Sequence, residues 1–97
     1  MNDFSSKALL LWAALKQHEG TPPDWRQGLL HGMFWLTDQL LTRTEGHPEH
    51  DYEHSNLKTI QQYIESAFKH HEHKISEMAL ELCSRIVSGI PDDGGHA

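Results

Sequence analysis

Apolar residues recur along this chain with helical spacing, and nowhere do they alternate for the length of a strand. Phe4, Ala8, Leu11 and Leu15 follow one another at steps of 4, 3 and 4, which predicts a first helix over about 5–19. Ser5 or Ser6 is positioned to cap its start and Gly20 to end it. A second helix is predicted over about 22–43. Thr21 offers an N-cap, Pro22 suits the first helical position, and Asp24 complements the positive end of the helix. Its stripes are Leu29, Met33, Leu36 and Leu40, then Leu30, Phe34 and Leu41. The polar run from Glu45 to Ser55, broken by Gly46 and Pro48, reads as a loop. With Ser55 as cap, a third helix is predicted over about 56–88. Its stripe is Leu57, Ile60, Ile64, Ala67, His71, Ile75, Met78, Leu82 and Ile86, and Gly89 in a left-handed cap with Pro91 beyond ends it.

These three helices predict an all-α domain over residues 1–91, with 92–97 as a tail. An unbroken third helix of this extent is about 48 Å long. A compact domain of this size has a radius of gyration of only about 13 Å. The first two helices cover one side of such a rod, so the pattern predicts a symmetric homodimer along the other. The expected seam is Ile60, Ile64, Phe68, His71, Ile75, Met78 and Leu82.

The first two helices carry more apolar surface than a small core needs. Leu9, Leu10, Trp12 and Ala13 extend the apolar character of the first around its circumference, and Trp25 and Trp35 add bulk to the second. The expected partner-binding residues are Leu9, Trp12, Trp25, Leu30, Phe34 and Trp35. Gly28 and Gly32 lie four apart on one face of the second helix, at roughly 1 kcal/mol each relative to alanine. Close approach of another backbone or a large ring is their expected compensation.

Charge narrows the function. The 97 residues carry a net charge of −6, which argues against direct nucleic-acid binding, because phosphate contacts need a basic face. Nine histidines would carry that charge from −6 to +3 on full protonation. The apolar run at 8–15 is too short to span a bilayer. A single cysteine, Cys83, excludes an intrachain disulfide and fits a cytoplasmic protein.

Candidate chemistry is sparse. Within "KHHEHKISE", His70, His73 and Glu77 would share one face of an unbroken helix, and imidazoles with a carboxylate are sensible zinc ligands. His47, His50 and His54 add donors in the preceding loop. One helical face offers only three ligands, however, and Lys69 and Lys74 flank them, so no metal or other cofactor is expected. A histidine-rich metal-binding or metal-sensing protein is the alternative reading. No nucleophile–base pair, phosphate loop or carboxylate pair stands in a recognisable context, so no enzymatic activity is expected.

Residues 63–91 resemble the C-terminal helix of the TraM-type antiactivators of quorum sensing. The likeness lies in Tyr63-Ile64-Glu65, the small pair Ser66-Ala67, His71 two turns on, and the ending Gly89-Ile90-Pro91; Pro22-Pro23 before the preceding helix also fits. It covers about a third of the chain, with a few extra residues between its ends. The resemblance implies a small helical protein that binds a LuxR-type transcription regulator and blocks its binding to DNA. It transfers no individual binding residue.

Overall fold

A computed structural model of the chain describes residues 3–89, and every regular element in them is helical. Helix α1 spans Asp3–Gln17, α2 Pro23–Thr44, α3 Asp51–His70 and α4 Glu77–Ser88, with short 3-10 turns at His18–Gly20 and Pro48–His50. Each helix packs on the next, and α4 closes the ring against α1. Contacts at the ends fix an antiparallel order. Arg43 of α2 pairs with Asp3 of α1, Thr44 meets His54 of α3, and Tyr52 of α3 meets Arg85 of α4. The result is a four-helix bundle of 41 × 27 × 19 Å with a radius of gyration of 13.3 Å.

The largest departure from the sequence pattern is the break after α3. The predicted 56–88 helix is two helices joined by residues 71–76. His71 adopts a left-handed conformation (φ 52°, ψ 39°), and its N–H reaches the Ala67 carbonyl. The N–H of Glu72 also donates to that carbonyl, at 3.0 Å. Ser76 then caps α4, its hydroxyl accepting from the Met78 N–H at 3.1 Å. Ile75 and Leu80 hold the flanking positions of a hydrophobic staple. The break turns α4 back along α3, and the chain covers its own apolar stripe. Ile60, Ile64, Ile75 and Leu82 are buried within a single chain, so they form no open seam. Of the other expected seam residues, Phe68 is half-buried, whereas His71 and Met78 are exposed.

Smaller corrections follow from the same local physics. Ser5 is buried inside α1, two residues past Asp3. The Thr21 hydroxyl donates to the Gln17 carbonyl at 2.9 Å, closing the end of α1 and leaving α2 without a side-chain cap. Helix α3 begins four residues before Ser55, which is interior to it. Gly46, at φ +78°, takes the turn that glycine allows after α2. Gly89 ends α4 in a right-handed conformation and not the expected left-handed one. The expected stop at Ile90 and Pro91 lies outside the described residues, as does the tail.

The core is formed by Ala8, Leu11 and Leu15 of α1, Leu30, Met33 and Leu40 of α2, Leu57, Ile60 and Ile64 of α3, and Ala79, Cys83 and Ile86 of α4. On α2 the buried stripe runs Leu30, Met33, Thr37, Leu40 and Thr44, while Leu29 and Leu36 are half-buried. Two threonines are tolerated there because their hydroxyls are satisfied. Thr37 donates to the Phe34 carbonyl at 2.8 Å and accepts from Gln61 at 3.1 Å. Thr44 meets the Leu40 and Leu41 carbonyls and the Nδ1 of His54.

Candidate protein-binding site

Antiparallel packing of α2 on α3 leaves a groove between them. Leu30 and Ile64 make its floor, His31, Phe34 and Phe68 its walls, and Glu65 and Lys69 part of its rim. Its volume is about 210 Å³. The His31 ring meets the edge of Phe68 with centroids 4.7 Å apart and planes at 78°. Phe34 remains 37% exposed at the lip. The groove is thus apolar below and charged at its edge, a form suited to an apolar anchor projecting from a helix.

The expected partner-binding residues divide into three groups. Trp25 and Trp35 are exposed on the outer side of α2, at 73% and 56%. Leu9 is exposed on α1, and Phe34 stands at the groove. Trp12 is half-buried against the core, with the Lys16 ammonium 5.2 Å from its ring centroid. Leu30 is fully buried and belongs to the core, meeting the surface only as the groove floor. Sequence reasoning missed His31, which is three residues before Phe34 and hence on the same side of α2. It named Leu10 as surplus apolar surface without placing it among the partner-binding residues, and Leu10 is 59% exposed.

The histidine cluster comes apart. His70 ends α3, His73 lies in the connection, and Glu77 begins α4, so they share no helical face. Among the described residues no group of three or more His, Cys, Asp or Glu side chains is placed to hold a metal ion. His71 meets the Gln27 amide at 3.3 Å. His18 is the unusual one: it is fully buried, and neither ring nitrogen has a hydrogen-bond partner. Burial lowers its pKa, and the positive charge of Arg26 and the nearby His73 lower it further. Cys83 is buried too, and burial pushes its thiol up to about 12. A thiol so hard to ionise is a poor nucleophile.

No helix among the described residues is long and apolar enough to cross a membrane. No known family model, curated protein or solved structure matches the chain.

Proposed function

We propose that this chain is a non-enzymatic protein-binding antagonist that takes an apolar anchor of its partner into the α2/α3 groove. The observation that carries this reading is the groove itself, with the Phe34 ring half-exposed at its lip. The partner we propose is a LuxR-type transcription regulator, held away from its DNA in the cytoplasm. Two features support that choice. Ile64, Glu65, Phe68 and Lys69 of the groove all belong to the segment that resembles the TraM-type antiactivators. The net charge of −6 would oppose DNA in any complex the chain forms.

Such an antagonist acts by occupancy, so inhibition follows the molar ratio to its target. The test is a titration against a LuxR-type regulator bound to labelled promoter DNA, read by fluorescence anisotropy. The expected result is loss of the DNA complex near equimolar chain. Phe34→Ala should weaken inhibition by about 30-fold, corresponding to an aromatic anchor of about 2 kcal/mol. Its melting temperature is measured alongside, to separate binding from folding. DNA that stays bound at several-fold excess, across the regulators of the host, refutes the antiactivator reading.

A further inference from the structure

Helix α2 carries a second surface, on the side opposite the buried Leu30. Trp25, Gly28, Gly32 and Trp35 follow one another there at steps of 3, 4 and 3, a sequence of side chains that reads the same in both directions. Both indoles are largely exposed, and a Cβ added at Gly28 or Gly32 would meet nothing within 4 Å. Among the described residues, no ring or backbone therefore fills the notch between the two tryptophans.

We infer that this face of α2 binds the same face of a second copy of the chain, in an antiparallel pair about a two-fold axis. Reversal symmetry of the stripe selects that occupant. With the axis at the level of Leu30, Trp25 of one copy comes level with Trp35 of the other, and Gly28 with Gly32. A two-fold pair sets residue i against j and j against i, so here tryptophan stands beside tryptophan and glycine beside glycine. The glycines let the two backbones approach closely, and four indoles flank the crossing. On their present exposure those rings supply at most about 600 Å², roughly half of the ~1,200 Å² at the lower bound of a specific interface. The bare backbone at the glycines contributes further area. Lys7 of α1 borders this face, its ammonium 5.9 Å from the Trp35 ring centroid. Asp24 and Asp38 stay at the rim, where water and salt screen them. An interface of this size associates weakly and dissociates on dilution. It is separate from the α2/α3 groove, so its failure leaves the antagonist reading standing, and the reverse also holds.

Sedimentation equilibrium of the full chain tests the pairing. The expected result is a dimer at about 100 µM that dissociates at low micromolar concentration. Two double variants follow, Gly28→Leu with Gly32→Leu, and Trp25→Ala with Trp35→Ala. Both change exposed positions, so circular dichroism should show an intact helical fold, with Kd raised about tenfold or more. Register is tested by mixing Thr21→Cys chains with Gln39→Cys chains and adding a short flexible bis-maleimide. Antiparallel pairing links the mixture but neither variant alone. A monomeric wild type at about 100 µM, a dimer that survives both double variants, or cross-linking of either cysteine variant with itself overturns the inference.

Discussion

The break between α3 and α4 makes a prediction whose sign depends on the fold. His71 is the one described non-glycine residue with positive φ. An L-residue in that conformation carries a steric cost of about 1–2 kcal/mol, which glycine does not. In an unbroken helix the order reverses, and glycine is worse than alanine by about 0.5–1 kcal/mol. The measurement is therefore His71→Gly against His71→Ala. Both variants lose the same contact to Gln27, so that contribution cancels. The structure predicts the glycine variant to be more stable by about 1 kcal/mol, since part of the strain relief is offset by entropy of the unfolded chain. For a domain of this size that difference separates the two melting temperatures by about 4–8 °C. Thermal melts by circular dichroism at neutral pH resolve it, and urea titration gives the free energy directly. An alanine variant more stable than the glycine variant would refute the break and restore one long helix.

Further outcomes are expected at His18, Ser76 and Cys83. His18→Leu should raise stability at neutral pH by about 1–3 kcal/mol, because it removes two buried unsatisfied polar atoms. The wild type should lose stability as pH falls below 6.5, since the folded-state pKa of His18 is lowered and unfolding takes up the proton. Urea titrations at about pH 8 and about pH 5 should show a smaller acid loss in the variant, and equal losses would refute this role. Ser76→Ala should cost about 1 kcal/mol through loss of the α4 cap; an unchanged urea midpoint would count against it. Cys83 should resist a thiol reagent at pH 8 in native protein and react promptly in denaturant, as its burial and raised pKa require.

Periodicity by itself determined that the chain is helical and set Leu11, Ile60, Ile64 and Ile86 on apolar stripes, and the Pro22-Pro23 pair marked the start of the second helix. These follow from local steric rules and from 3.6-residue spacing, which a single element expresses by itself. That Ile60 and Ile64 face the chain's own core and not a second copy was decided by the fold. The break at His71 was written only faintly. A run of "KHHEHK" weakens a helix without forbidding it, and the apolar stripe continues through Ile75, Met78 and Leu82 at unchanged spacing. What ended the helix was the burial gained when α4 folds back to cover the same stripe, a comparison between two whole arrangements of the chain. Tertiary packing likewise placed Leu30 in the core and Phe34 at a groove, although both are apolar residues of one helix. It also left Trp25, Gly28, Gly32 and Trp35 on the outside. Sequence shows that a helix has several apolar sides, but which of them meets solvent depends on where the other helices lie.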